Sequence, residues 1–302
     1  MSKVNPTPLD RRALGLALTR VANLGAAAAA DDTPPTGGTP ARRIGVTGAP
    51  GAGKSTLVGR LAMHRLHGGR LGVLAIDPSS PKTGGAILGD RIRMDDLAGS
   101  ENLYIRSFGS RTTSDGLTDN LPELLDTMDR FCFDEVIVET VGVGQAETAA
   151  KSQVDTLVLV IPPDSGDVIQ AMKAGIMEMA DIFAINKSDM PSAAKMATEV
   201  RRIIALTQKN GQGWVPPVVL TSHTKPDSIA QLSQQIDKHL EWIRESGQYA
   251  QVNLARRRYG LARRVERLVR SAVQQLPPQF FEQDTGAQIS KLLASLIEDR
   301  RC

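Results

Sequence analysis

Short apolar runs alternate with amphipathic stretches through the middle of the chain. The runs are four to six residues long and are apolar on both faces, which is typical of strands in a parallel sheet covered by helices on both sides. We therefore predict an α/β fold with a mostly parallel central sheet flanked by helices. The runs predicted as strands are 44–47, 71–76, 135–139, 156–161, 182–185 and 218–221.

The two ends of the chain lack this β-type pattern. Residues 11–24 carry apolar positions at helical spacing, and a stretch rich in Thr, Pro and Gly follows up to residue 40. Helical patterns return at 252–275 and 287–298, separated by Pro277-Pro278. We predict an N-terminal helical extension and linker at 1–42, a central domain at 43–246 and a C-terminal helical arm at 247–302.

A phosphate-binding loop is predicted directly after the first strand. Its pattern of glycines followed by Lys-Ser lets backbone N–H groups converge on phosphate oxygens, and the helix that it opens adds a positive dipole end. Lys54 can reach the β- and γ-phosphates, and Ser55 offers a hydroxyl to Mg²⁺. The expected contact residues are Gly48, Ala49, Pro50, Gly51, Ala52, Gly53, Lys54, Ser55 and Thr56.

Acidic residues lie at, or just after, the ends of two other predicted strands. Glu139, in Glu139-Thr140-Val141-Gly142, is placed where a carboxylate beside Mg²⁺ and a glycine at the γ-phosphate belong. Asp77 lies just after the strand at 71–76, and Asp90 lies in a long glycine-containing loop. The predicted metal ligands or supports are Ser55, Asp77, Asp90 and Glu139.

A base-recognition motif, Asn186-Lys187-Ser188-Asp189, follows the strand at 182–185. A carboxylate here can accept both N1–H and the 2-amino group of guanine, which adenine does not offer. We therefore predict specificity for guanine, with Asn186, Lys187 and Asp189 at the base. Thr221 and Ser222, with His223 beside them, follow the last strand and can support these contacts.

Composition adds only broad limits. The chain of 302 residues is 41% hydrophobic and 23% charged, an ordinary globular balance, and its net charge of +3 does not argue for nucleic acid. It has two cysteines, which fits a reducing cytosol, and we expect Cys132 to be a buried apolar residue. No apolar run approaches the roughly 20 residues of a membrane span, and no secretion signal is apparent.

The predicted helix at 252–275 combines an apolar stripe with seven arginines. The stripe comprises Leu254, Leu261, Val265, Leu268 and Ala272, at helical spacing. Three interpretations remain open: an Arg-rich helix packed on its own domain, a dimerisation arm, or a surface for nucleic acid or phosphate. The last lacks the interleaved aromatic residues that favour it.

These motifs together resemble the ArgK/MeaB family of mutase-associated G-protein chaperones. The most specific stretches are 77–94, 139–145 and 173–178. The resemblance implies a homodimeric GTPase that uses Mg²⁺ and GTP to gate the loading and protection of an adenosylcobalamin-dependent acyl-CoA mutase in the cytoplasm. It also implies functional roles in hydrolysis and switching for Lys54, Asp77, Asp90, Glu139 and Lys173, and a γ-phosphate contact for Gly142.

The chain departs from that family at 108–116, at Lys82 and at His223. The first two bear on partner contact and switch coupling rather than on GTP binding. Alternative functions are a P-loop kinase or transport ATPase, a GTPase metallochaperone for another enzyme, and a nucleotide-regulated assembly factor without turnover. The motif at 186–189 argues against the first, and the lack of a Cys/His cluster in the sequence argues against a nickel-insertion GTPase.

Overall fold

Seven parallel strands form the central sheet of the computed structural model, which describes residues 8–23, 40–66, 69–78, 100–110, 120–140, 149–164, 179–207 and 213–298. The strands are β1 (Arg42–Gly48), β2 (Leu71–Pro78), β3 (Leu103–Ser110), β4 (Glu135–Thr140), β5 (Thr156–Ile161), β6 (Ile182–Ile185) and β7 (Val218–Leu220). Their order is β3-β2-β4-β1-β5-β6-β7, and every pair is parallel. The predicted α/β class with a parallel sheet is thus confirmed.

Helices cover both faces of the sheet. They are α1 (Arg11–Asn23), α2 (Lys54–Arg65), α3 (Leu121–Arg130), α4 (Ser192–Thr207), α5 (Pro226–Glu245), α6 (Tyr249–Gln274) and α7 (Thr285–Glu298), with a 3₁₀ turn at Pro278–Glu282. In the ranges given above, no helix is both long and apolar enough to cross a membrane.

The hydrophobic core lies in two layers. On one face, side chains of α2 and α5 pack on β-strand residues such as Ile44, Ile137 and Val158. On the other face, α1 and α3 pack over β2, β3 and β4, and α4 packs over β5 and β6. Strands β1, β4, β5 and β6 are buried on both sides, which explains why they read as continuous apolar runs rather than as alternating ones.

Two sequence-based expectations need correction. Strand β3 was not predicted, although Leu103, Tyr104 and Phe108 give it a β-type composition; it lies at the edge of the sheet, where fewer of its residues are fully buried. Cys132 is exposed rather than buried. It follows the end of α3 with φ 58°, and the left-handed turn that ends the helix directs its side chain to solvent.

Helix α6 is attached to the domain through its arginines. The Arg256 guanidinium donates to Asp155 at 2.7 Å, and Arg264 Nε donates to Glu123 Oε1 at 3.0 Å. Arg267, which is buried, donates to the same Glu123 oxygen. Glu123 is itself only 2% exposed, so its pairs with Arg264 and Arg267 join α6 to a buried carboxylate of α3.

Three of the five residues of the apolar stripe on α6 consequently face outward. Leu254, Leu261 and Val265 are 48%, 65% and 49% exposed. Helix α7 adds Ile289, Leu293 and Ile297, each at least half exposed and four residues apart. The arm therefore presents an apolar surface while its arginines bind the domain that carries it.

Candidate nucleotide site

The predicted functional motifs meet at one edge of the sheet. Because all the strands are parallel, the ends of β1, β4, β6 and β7 lie on the same side. The glycine-rich loop follows β1, Glu139 is near the end of β4, and Asn186 follows β6. This edge is where ligands bind in open α/β sheets.

The conformation of the loop explains two of its glycines. Gly48 has φ 146°, and a Cβ atom there would lie 2.2 Å from the carbonyl oxygen of Val160. Gly53 has φ 83°, and its Cβ would lie 2.5 Å from Asn186 Nδ2. Any side chain at these positions would collide with the neighbouring strand or with the base-recognition loop, so the tight path of the loop requires glycine.

Lys54 begins α2 and remains close to the loop. Its side chain is 5% exposed, and Nζ donates a hydrogen bond to the carbonyl oxygen of Ala49 at 2.9 Å. The ammonium group is therefore held over the phosphate loop at the positive end of the helix dipole. This arrangement concentrates positive charge where phosphate oxygens would bind.

Ser55 and Glu139 meet across the gap between α2 and β4. Ser55 Oγ donates to Glu139 Oε1 at 2.7 Å, although the residues are 84 positions apart. Glu139 is 2% exposed. A hydroxyl and a carboxylate at the phosphate loop provide hard oxygen ligands, the kind that Mg²⁺ prefers.

The base-recognition loop is bonded directly to the phosphate loop. Asn186 Nδ2 donates to the carbonyl oxygen of Ala52 at 2.8 Å, and Lys187 Nζ donates to that of Gly51 at 3.1 Å. Thr221 Oγ1 donates to Asn186 Oδ1 at 3.2 Å and so fixes the orientation of the amide. These contacts place the base and phosphate elements within reach of one nucleotide.

Asp189 is oriented by Ser222. Ser222 is fully buried, and its Oγ donates to Asp189 Oδ1 at 2.7 Å. This hydrogen bond lowers the pKa of Asp189 below its ordinary value, so the carboxylate is ionised at neutral pH and can accept N–H groups. Asp189 is exposed. A bound base would have to exclude water from the Asp189 carboxylate.

Several predicted residues lie at the same edge, but their roles are not fixed by visible contacts. Asp77 is the penultimate residue of β2, and His223 is exposed in the turn after Ser222. Thr56 lies in the first turn of α2. Asp90, Gly142 and Lys173 lie outside the described residues.

The chain is similar to one family over most of its length: residues 18–277 match the family described as methylmalonyl Co-A mutase-associated GTPase MeaB. A Pyrococcus horikoshii protein that bears the name of a GTPase is 41% identical over 211 residues, 69% of this chain and 67% of that protein. The mouse protein named methylmalonic aciduria type A homolog, mitochondrial, is 36% identical over 214 residues, 69% of this chain and 51% of the mouse protein.

The fold also matches a crystal structure described as that of an LAO/AO transport system kinase. The TM-score is 0.62, and the match covers 97% of this chain and 100% of that one. The two sequences are 22% identical. This likeness concerns the arrangement of strands and helices alone and does not transfer an activity.

Proposed function

Since this chain belongs to the MeaB family of methylmalonyl-CoA mutase-associated GTPases, we propose that it binds and hydrolyses Mg²⁺·GTP and uses the nucleotide state to gate an adenosylcobalamin-dependent acyl-CoA mutase. The observation that carries the nucleotide part is the bonding of Asn186 and Lys187 to the phosphate loop. Through these bonds, recognition of the base and of the phosphates depends on the same loop.

In this proposal the base is guanine because Asp189 presents an oriented acceptor pair. The two N–H groups on one edge of guanine match the two oxygens of the carboxylate, whereas adenine would leave that carboxylate without donors. A site built on such pairing discriminates by roughly 10⁴ or more. Ser222 donates to one oxygen of Asp189 and so sets the angle at which the carboxylate meets the base.

The pair Ser55 and Glu139 fits a magnesium ion, because both residues offer oxygen and Glu139 is buried beside the phosphate loop. We propose these two as its nearest protein groups, with Asp77 and Asp90 as supports from the switch segments. Bound Mg²⁺ would neutralise charge on the β- and γ-phosphate oxygens. Gly142 would contact the γ-phosphate.

Hydrolysis in this proposal is a phosphoryl transfer to water. A new bond forms between the water oxygen and the γ-phosphorus while the bond to the β–γ bridging oxygen breaks, giving GDP and phosphate. Backbone N–H groups of residues 48–53 and the ammonium of Lys54 stabilise the charge on the transferring group. The protein's contribution is positioning and electrostatic stabilisation rather than covalent chemistry.

We propose that two copies associate through the outward apolar surface of the arm. Helices α6 and α7 contact each other, and each leaves several large apolar side chains exposed, which is typical of an interface. Arg256, Arg264 and Arg267 are paired with acidic residues of the chain's own domain. This leaves the apolar side as the surface that a second copy would cover.

The proposed partner follows from the family description, which names a methylmalonyl-CoA mutase. The mouse relative, named for methylmalonic aciduria, supports the same enzyme class. The segments at 77–90 and 139–145 would order around the γ-phosphate, and Lys173 would relay their state to the mutase. We propose a cytoplasmic setting, where the exposed thiol of Cys132 stays reduced.

Competition binding tests the nucleotide assignment. GDP should displace a labelled guanine nucleotide at concentrations at least about 10⁴ lower than ADP. Asp189→Asn should weaken the binding of GDP and favour the binding of xanthine nucleotides, which carry a carbonyl in place of the 2-amino group. Equal affinities for GDP and ADP in the wild type would rule out the proposed base recognition.

A further inference from the structure

Two buried threonine hydroxyl groups flank the nucleotide site. Thr47 precedes the phosphate loop and Thr140 follows Glu139, and both are 0% exposed. Neither Oγ1 has a hydrogen-bond partner among the residues that the structure describes. A buried hydroxyl without a partner is costly, and most such groups in proteins are satisfied by protein or by ordered water.

The strand register places these hydroxyls side by side. Val46 pairs with Glu139 in the parallel β1–β4 ladder, so one further step brings Thr47 beside Thr140. Ile76 of β2 pairs with Thr140, and Leu159 of β5 pairs with Thr47. A row across four strands therefore has two hydroxyls at its centre and an aliphatic side chain at each end.

Both hydroxyls point to the sheet face covered by α1 and α3. Side chains two residues apart on a strand share a face. Val138, two residues before Thr140, packs in the core beneath those helices. A Cβ at Gly45, two residues before Thr47, would meet Leu157 of the same core at 2.8 Å. Glu139 and Ser55 consequently meet on the opposite face.

The spacing suits one water molecule. Neighbouring strands lie about 4.8 Å apart, and the Oγ1 atoms of Thr47 and Thr140 do not form a direct hydrogen bond with each other. Two hydrogen bonds through one oxygen span roughly 4.5 to 5.5 Å. Each threonine can donate or accept, so a single water can satisfy both.

We propose that Thr47 and Thr140 bind one buried water between β1 and β4, and that this bridge positions Glu139 against Ser55. Thr140 is covalently next to Glu139, and Thr47 is next to the first glycine of the phosphate loop. The bridge therefore ties the strand that carries the carboxylate to the strand that carries the loop. The two threonines are positioning residues, and only this catalytic consequence rests on the proposed GTPase site.

The water itself is tested by a double-mutant cycle on thermal stability of the full chain, with Thr47→Val, Thr140→Val and the double variant. Valine preserves shape and removes the hydroxyl. If one water is shared, each single change lowers the melting temperature and the second adds little to the first. If the hydroxyls are simply unsatisfied, valine is neutral or stabilising at each site and the changes add, which would overturn the proposal.

A crystal structure of the full chain at about 1.8 Å or better gives a direct check. We expect an ordered water within hydrogen-bond distance of both Oγ1 atoms. An empty gap, or a direct bond between the two threonines, would contradict the inference. Neither this check nor the stability cycle depends on activity, so they remain decisive even if the wild type fails to hydrolyse GTP.

The positioning role is tested by kinetics. Each valine variant should lower kcat for GTP by about fivefold, the effect of one lost hydrogen bond, and should raise the Mg²⁺ concentration needed for half-maximal rate. Thr→Ser at either site should restore both values because it keeps the hydroxyl. Thr127→Val is the matched control: Thr127 is equally buried, and its hydroxyl bonds to Glu123 O within α3. Equal kinetic effects of the control and the site variants would refute the role.

Discussion

The nucleotide edge of the sheet and the C-terminal helix α6 both depend on charged side chains, but they use them in opposite ways. At the nucleotide edge, Lys54 and Lys187 bond to backbone carbonyls of the phosphate loop, where their charges are available to a bound phosphate. On α6, Arg267 and Arg264 bond to the buried carboxylate of Glu123 and serve attachment.

The comparison shows what a periodic pattern leaves undetermined. A helical stripe of apolar residues identifies two faces, and the usual inference is that the apolar face is buried. On α6 the opposite holds, because α3 presents Glu123 and Asp126 to the helix and these acids require basic partners. Burial raises the pKa of Asp126 despite the nearby arginines.

Removing the charge of Lys54 should give the largest effect. Lys54→Ala should weaken nucleotide binding or hydrolysis on the order of 10³-fold, because its ammonium is held over the phosphate loop. Lys195→Ala, an exposed lysine on α4, is the control and should match the wild type. Isothermal titration with GDP and a hydrolysis assay provide the measurements. Wild-type GDP affinity and hydrolysis rate in the Lys54 variant would show that Lys54 has no role in the nucleotide site.

Neutralising Glu123, the buried carboxylate that pairs with arginines of α6, should lower the free energy of unfolding without changing activity. Glu123→Gln leaves Arg264 and Arg267 without their shared carboxylate and should destabilise the fold by about 3 kcal/mol. Glu266→Gln is the matched control: Glu266 also pairs with two arginines of α6, Arg263 and Arg270, but it is exposed. Its loss should cost less than about 1 kcal/mol. Denaturant unfolding of both variants measures these losses in free energy of unfolding. Equal losses would contradict the distinction between the buried and the exposed carboxylate.

A charge on the outward stripe should affect assembly. Leu261→Asp should raise the dimer dissociation constant at least about tenfold without changing GDP binding, because it places a carboxylate in the proposed apolar interface. Leu206→Asp, at a leucine of similar exposure on α4, is the control. Light scattering over a concentration series measures the mass. A wild-type chain that remains monomeric at all concentrations would refute the arm's role.

The smallest effect should come from Ser222. Ser222→Ala removes one hydrogen bond to Asp189 and should weaken GDP binding about fivefold, with weak ADP binding unchanged. Ser290→Ala, an exposed serine on α7, should have no effect. Loss of GDP affinity with a matching gain in ADP affinity would indicate that Ser222 governs the base choice itself, which is a larger role than the account gives it.

Local motifs made the nucleotide edge predictable. The sequence Gly48–Ser55 needs only its own strand and helix to form, and the run before Asn186 identifies another strand end. The parallel sheet then brings the two together, so their meeting could be expected. The bond between Asn186 and Ala52, which joins residues 134 positions apart, could not be read from either motif alone.

The arm and the edge strand were less predictable for a physical reason. The pairing of Arg267 with Glu123 depends on how α6 is placed against α3, and nothing within either helix encodes that placement. Likewise β3 lies at the edge, so its residues lack the continuous apolar pattern of the central strands. Cys132 was misjudged because its flanking phenylalanines suggested a buried run, whereas the turn after α3 reverses the chain there.

Steady-state GTP hydrolysis with and without adenosylcobalamin-dependent acyl-CoA mutases of the native organism tests the central claim most directly. The sequence contains no recognisable built-in arginine finger, so the intrinsic rate should be slow. A mutase that orders the switch segments should accelerate it, by up to about 10³–10⁵ in the best cases, and must also change GTP affinity because coupling in binding is reciprocal. If no such mutase alters either the rate or the nucleotide affinity, the chaperone role is contradicted and only the GTPase remains.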